Sequence, residues 1–314
     1  MRSLYALLAV SAVAHAQTRS AKRGLVFVPN DKTPEDNKIW VQSGFDLTWY
    51  YNYSPTPSTA FSDQAQDKFE FVPMLFGNLD DTSFLNTVNG LIDGGRKISH
   101  VLTFNEPDGS TQYGGSNIAP AKAAQVWVDN IIPLSQKGVK VGLPACTGSN
   151  AGIPWLQQFL GNCSQIISTG GNQKNCSYDF VTLHWYGNFE GLASHMGEYS
   201  AAFPNKPQWI TEYNFDNQDL TSTQSFFNTS AEYFDRLDSV DRYSYFGSFR
   251  SDVSNVGPNA VMLNNDGQLT DIGSWYLGGS ATGVDPQSGL AARSQVSNML
   301  LAITLAVVAS LIIV

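Results

Sequence analysis

Eight short apolar runs punctuate this chain, most of them separated by enough residues to hold a helix. They are Gly24–Pro29, Phe45–Tyr51, Glu70–Phe76, His100–Asn105, Lys140–Pro144, Asp179–Trp185, Gln208–Tyr213 and Arg242–Gly247. Near-continuous apolar runs mark strands buried on both faces. Between them lie helix-like segments, including Asp81–Ile92, Pro120–Gln136, Pro154–Leu160 and Ser222–Leu237. Strands alternating with helices predict right-handed β-α-β units around a parallel sheet. Eight such units in one stretch predict a single α/β domain over residues 24–280, a (β/α)8 TIM barrel. A doubly wound open sheet is the alternative. Against it, no run is followed by a glycine-rich phosphate loop.

The flanks carry a different signal. Residues 1–16 read as a secretory signal: Arg2, then an apolar Leu4–Val13, then Ala14-His15-Ala16 as a small-x-small cleavage site. Residues 17–23 are expected to be a short pro-segment, with Lys22-Arg23 as a dibasic processing point. Residues 281–298 form a linker, and 299–314 an apolar tail with no basic residue behind it. Small residues, spacer and tail fit a signal for a glycosylphosphatidylinositol (GPI) anchor, with Ser288 as the expected attachment site. A retained tail-anchor helix is the competing reading.

The sequence holds 18 basic and 27 acidic residues. Removing both flanks takes five of the basic residues and no acid, leaving 13 against 27, a net −14. Such a charge repels nucleic acid and anionic lipid surfaces and favours a neutral partner. Membrane contact is expected only through the anchor, and the domain is expected to be a monomer. Three cysteines suit an oxidising compartment. Cys163 and Cys176 flank a Gly/Asn-rich stretch and are expected to pair, leaving Cys146 free and buried. Four sequons, at Asn52, Asn162, Asn175 and Asn228, are candidate glycan sites.

In a (β/α)8 barrel the chemistry sits at the C-terminal ends of the strands. The fourth run leads into Phe104-Asn105-Glu106-Pro107-Asp108, and the seventh ends in Thr211-Glu212-Tyr213-Asn214. Each delivers a carboxylate to the same end. Two carboxylates held in different protonation states are what glycosidic cleavage requires. One alone would read as an ordinary solvated or salt-bridged residue; the pair makes Glu106 and Glu212 the candidate catalytic residues. Aromatic side chains near strand ends offer rigid amphipathic faces for sugars. Phe104, Trp49, Trp185, Tyr186 and Tyr245 are the candidates, with core packing as the competing role. Trp49 and Tyr50 point to opposite sides of a strand, so one of them at most faces a cleft. Trp209, three residues before Glu212, is expected to point away from it and to be packed.

These residues resemble a known family. Asn-Glu-Pro at 105–107 and Thr-Glu at 211–212 are similar to the clan of retaining (β/α)8 glycosidases with the acid/base on strand four and the nucleophile on strand seven. More narrowly, the chain resembles the fungal glycosyl-hydrolase catalytic-core family that includes endo-β-1,3-glucanases. Phe104–Asp108, the Trp127 region, Val141–Pro144, Asp179–Tyr186 and Trp209–Tyr213 carry the likeness, which extends over Gly24–Leu277. The resemblance implies Glu106 as general acid/base and Glu212 as nucleophile. It also implies that Asn105 binds the sugar 2-hydroxyl and that His184 and Tyr186 orient Glu212. Secretion, a cell-wall location and β-1,3-glucan as substrate follow as expectations.

Other chemistries fit poorly. Beyond the signal segment only His100, His184 and His195 remain, without a His-Glu-x-x-His spacing, so no metal or organic cofactor is expected. There is no Gly-x-Ser-x-Gly elbow and no thiol-protease signature around Cys146. Two alternatives stay open: a non-catalytic glucan-binding wall protein, and a glycosidase or transglycosylase acting on another β-glycan.

Overall fold

Each of the eight apolar runs contains a strand in the computed structural model, which describes residues 19–289. In chain order these are β1 (Gly24–Val26), β2 (Trp49–Tyr51), β3 (Glu70–Phe71), β4 (Met74–Leu75), β5 (His100–Thr103), β6 (Lys140–Val141), β7 (Val181–Tyr186), β8 (Gln208–Asn214) and β9 (Val240–Tyr245). The third run is split into β3 and β4 because Pro73 has no N–H for the ladder. Its carbonyl still accepts from the Leu102 N–H at 2.9 Å. All strand pairings are parallel and follow chain order, in the sets β1-β2-β3, β4-β5-β6 and β7-β8-β9. Isolated parallel bridges link the sets: Gly142↔Phe180 joins β6 to the entry of β7, and Arg23↔Tyr243 returns from β9 to the residue before β1. The described residues form one α/β domain.

Helices α1 (Ser83–Asp93), α2 (Pro120–Asn130), α3 (Ile132–Gln136), α4 (Gly152–Ile167), α5 (Phe189–Ala202), α6 (Leu220–Arg236) and α7 (Asp271–Tyr276) cover the strands. Four of the predicted helical segments are present, and α5 and α7 are additional. Gly191 and Gly197 depress the helix propensity of α5. Gly191 is required, because a Cβ there would lie 2.2 Å from the Trp185 ring. Asn188 starts the helix by accepting the Gly191 N–H at 3.1 Å.

The strands divide the apolar side chains into two sets. Val26, Trp49, Tyr51, Val72, Met74, Leu102, Phe180 and Trp209 pack together in one cluster. Leu25, Tyr50, Phe71, Val101 and Ile210, their neighbours on the same strands, pack in the other, with the helices. Alternation along each strand produces this sorting. At the strand starts the first cluster ends on a polar group. Arg242 stacks over Trp209 and Trp49, with its guanidinium carbon 4.3 and 5.5 Å from the ring centroids. It also binds Glu70 at 2.6 Å, and Glu70 binds His100 at 2.9 Å.

Residues 20–23, expected to end a short pro-segment, pack against the domain. Arg23 is fully buried; it bridges Asp46 at 3.2 Å and Asp235 at 3.5 Å and donates to the Tyr243 hydroxyl at 2.9 Å. Lys22 donates to the carbonyls of Phe234, Asp235 and Leu237, which it reaches at the C-terminal end of α6. Cleavage after residue 23 would remove all of these contacts.

Cys163 and Cys176 form a disulfide, and Cys146 is free and buried. Among the expected glycan acceptors, Asn175 is exposed, and Asn162 and Asn228 lie on the helices α4 and α6. The Asn52 amide is turned to the Thr56 carbonyl at 3.1 Å. Ser288 accepts the Asn265 N–H on its carbonyl and meets the Asn264 amide with its hydroxyl, both at 3.1 Å. The expected signal, residues 1–16, and apolar tail, 299–314, lie outside the described residues. Among the described residues no helix is long and apolar enough to cross a membrane.

Candidate active site

Glu106 follows β5 in a left-handed backbone conformation, φ +41°. Such a conformation costs free energy for a residue with a Cβ and persists only where its surroundings fix it. Here the Glu106 N–H donates to the Ala145 carbonyl and the Glu106 carbonyl accepts from Gly109, both at 2.8 Å. The loop then folds back tightly: a Cβ on Gly115 would lie 2.5 Å from the Gly109 backbone. Asn105 is pinned by its N–H to the Phe76 carbonyl and by its side-chain amide to the Gly114 carbonyl. Its side-chain oxygen is buried and has no protein partner.

Glu212, on β8, is 5% exposed. The Tyr53 hydroxyl donates to its Oε1 and the Tyr186 hydroxyl to its Oε2, each at 2.6 Å. Tyr51 adds a longer contact to Oε1 at 3.4 Å. His184, 1% exposed, places Nδ1 between the two carboxylates, 3.1 Å from Glu106 Oε1 and 3.5 Å from Glu212 Oε2. Ligand atoms of Glu106, His184 and Glu212 all lie within 4.8 Å of one another. These three residues are also the donor set that could hold a cation.

The electrostatics are those of a buried, crowded carboxylate. Burial raises the pKa of Glu212, and the negative charge of Glu106 adds to it. His184 and the two phenols pull the other way, and the net shift is upward. Burial lowers the pKa of His184, but Glu212 and Glu106 outweigh it and hold the imidazole above its ordinary value. Tyr51, Tyr53 and Tyr186 are pushed well above the usual phenol range, first by burial and then by Glu212. All three therefore stay neutral donors.

These groups open into a cleft of about 830 Å3. Asn105, Glu106, Trp185, Tyr186 and Glu212 line it, and Tyr53, Phe76 and Tyr113 join them. The geometry presents two neighbouring carboxylates, one exposed enough to meet solvent and one buried under donated hydrogen bonds, beside aromatic walls. A family model described as the glycosyl hydrolase catalytic core matches residues 24–276. The chain belongs to this family.

Individual relatives of the catalytic-core domain are similar at moderate identity. The alkali-sensitive linkage protein 1 of Schizosaccharomyces pombe is 31% identical over 268 residues, which are 82% of this chain and 44% of that protein. The chain thus spans under half the length of that curated relative. A GH128 (subgroup II) endo-β-1,3-glucanase from Pseudomonas viridiflava is 26% identical, with TM-score 0.65, over 83% of this chain and 98% of its own. A GH128 (subgroup VII) oligosaccharide-binding protein from Cryptococcus neoformans, 24% identical and with TM-score 0.60 over 86% and 97%, shares the fold. Membership of the glycosyl hydrolase catalytic-core family is therefore established, and the solved structures that share the fold include both a glucanase and an oligosaccharide-binding protein.

Three expected sugar-binding residues lie elsewhere. Phe104 is fully buried and meets Phe159 of α4 edge-on at 6.4 Å, because alternation turns Asn105 rather than Phe104 to the cleft. Trp49 faces the strand interior but at the start of β2, stacked on Tyr51 and tilted on Trp209. Tyr245 points outward into the helices and donates to the Ala260 carbonyl, while Ser244 takes the inward place. Trp209 is packed as expected, yet in the same interior cluster that leads up to Glu212. A register irregularity between Ile210 and Tyr213 breaks the alternation on which the opposite placement relied.

Tyr53 is the principal residue that sequence reasoning missed. It lies two positions beyond the end of β2, on the face that carries Trp49 and Tyr51, so extending the alternation past the apolar run finds it. Phe76 and Tyr113 are the other missed aromatics on the cleft.

Proposed function

We propose that the protein is a retaining glycoside hydrolase acting on β-1,3-glucan, with the ring of parallel pairings closed as a (β/α)8 barrel. The observation that carries this is the Glu212 carboxylate, fixed on both oxygens by phenols and joined to Glu106 through His184. In the retaining mechanism the carboxyl groups stand about 5–5.5 Å apart, and the site's ligand atoms within 4.8 Å of one another suit that class.

Glu212 attacks the anomeric carbon while Glu106 protonates the departing oxygen, giving a covalent glycosyl-enzyme. Glu106 then takes a proton from water, which displaces Glu212 and releases the sugar with retained configuration. A sugar hydroxyl in place of water gives transglycosylation. His184, its pKa raised by Glu212 and Glu106, offers Nδ1 to both carboxylates, and the phenols favour the ionised form of Glu212 against the burial that opposes it. Asn105 lines the cleft beside Glu106, its amide held by the Gly114 carbonyl, and is the residue that would meet the sugar 2-hydroxyl.

The linkage rests on the β-1,3-glucanases among the structural neighbours. Secretion, glycan attachment and a GPI anchor belong to the same proposal and place the enzyme at a cell wall. Wild type and the Glu106→Gln and Glu212→Gln variants, each given β-1,3-, β-1,4- and β-1,6-glucan and mannan, test it. Soluble products from β-1,3-glucan with wild type alone support the reading. Binding without products from any polymer moves the protein to the second reading, an oligosaccharide-binding protein like the neighbour from Cryptococcus neoformans.

A further inference from the structure

The catalytic cleft does not end at the carboxylate pair. A second groove, about 550 Å3, shares Tyr53, Phe76 and Gly114 with it. Phe76 therefore stands as a ridge between the two, at the end of β4. The residue is 39% exposed, and its backbone is fixed by the Asn105 N–H on its carbonyl. Four large apolar side chains are exposed among the described residues. Two of them, Phe76 and Tyr113, line the cleft, and a third, Val253, sits two residues from the cleft residue Asn255. Exposed aromatics gathered at one place mark a binding surface.

The groove's lining identifies its occupant. No charged side chain faces it. Leu79 and Phe84 supply apolar surface; Asn78, Ser83 and Thr87 supply amide and hydroxyl groups. A phosphate, a nucleotide or a charged peptide would find no counter-charge there. A neutral sugar presents C–H faces and hydroxyls that match both kinds of wall. Continuity with the cleft makes that sugar part of the same chain.

We propose that this groove binds further glucosyl units of the glucan already held at Glu106 and Glu212, with Phe76 as the platform over which the chain crosses. The inference rests on the proposed glucanase reading. It makes the preferred substrate a chain long enough to occupy both spaces.

The test compares β-1,3-linked glucose oligosaccharides of three and six units, with wild type, Phe76→Ala and the groove-filling Ser83→Trp. The ratio of kcat/KM for the longer over the shorter substrate falls about tenfold in each variant, the scale of one lost aromatic contact. An unchanged ratio in Ser83→Trp, or an equal loss at both lengths in both variants, overturns the proposal. Calorimetric titration in the Glu212→Gln background separates the two claims. Affinity that rises from three to six units, and loses that rise when Ser83→Trp is added, supports the groove even if wild type cleaves nothing. Affinity independent of length overturns the groove and leaves any observed cleavage standing.

Discussion

The Tyr53 hydroxyl donates to Glu212 Oε1 at 2.6 Å from a residue whose own backbone is left-handed, φ +59°. Tyr186 does the same for Oε2 from an ordinary strand position. The carboxylate is thus held by two elements with different local conformations, and the Tyr53 ring is backed edge-on by Tyr51 at 5.1 Å.

Removing that donor weakens the charged form of Glu212 and its aim. Tyr53→Phe is expected to lower kcat by about 10–100-fold, the value of one hydrogen bond to a charged group. Burial already raises the Glu212 pKa, and attack needs the ionised form. Activity is therefore lost as pH falls through that raised value, and Tyr53→Phe moves the acid limb of the kcat/KM profile to higher pH. An unmoved limb would mean that Tyr53 does not act on Glu212.

The same burial makes Glu212 a cost to the fold. A carboxyl whose folded pKa lies above its unfolded value favours folding below about pH 4.3, the ordinary Glu value, and that contribution is lost as pH rises through the folded pKa. Glu212→Gln should therefore be more stable than wild type near neutral pH, by about 1–2 kcal/mol. The gap should close in acid. Thermal unfolding of both proteins across pH measures it; equal stabilities at every pH would contradict the electrostatic account.

At the other end of the strands the sign reverses. Burial would raise the pKa of Glu70, but His100 and Arg242 prevail and hold it below the usual range. Its contribution is present above the unfolded pKa and fades as pH falls through the folded one. Glu70→Gln removes the carboxylate partner of Arg242 and is expected to cost about 3 kcal/mol in urea unfolding at neutral pH. Because Glu70 begins a strand and the cleft lies past the strand ends, kcat/KM of the folded variant should equal that of wild type.

The reassigned aromatics separate in the same assay. Tyr245→Phe removes a buried donor to the Ala260 carbonyl and should cost about 1 kcal/mol of stability with KM unchanged. Trp185→Ala, at the cleft wall, should raise KM. The reverse pattern would return Tyr245 to the cleft.

The strands and the carboxylate pair were legible because each rests on a local signal: near-continuous apolar runs, and an acid within one residue of a run's end. Trp185 and Tyr186 followed as cleft aromatics from the same strand-end logic, whereas the roles of Asn105, His184 and Tyr186 beside the carboxylates were implied by the family resemblance. What strand ends cannot convey is which face a residue takes once a β-bulge intervenes, and this displaced Trp209. Nor do they convey depth, so Trp49 sits on the expected face at the wrong end of β2. Phe104 and Tyr245 show the cost of reading proximity without alternation. Alternation extended past the run reaches Tyr53, but it does not say what Tyr53 and Phe76 meet. Their roles depend on a long-range meeting, since Tyr53 and Glu212 are 159 positions apart.

The central claim is that Glu212 forms the covalent intermediate. Wild type incubated with a 2-deoxy-2-fluoro glucosyl fluoride, digested and mapped by mass spectrometry, tests it directly. One glycosyl adduct on the peptide carrying Glu212, absent from Glu212→Gln, is the predicted result. Cleavage of β-1,3-glucan with inverted configuration and no adduct, or an adduct on Glu106, would contradict it.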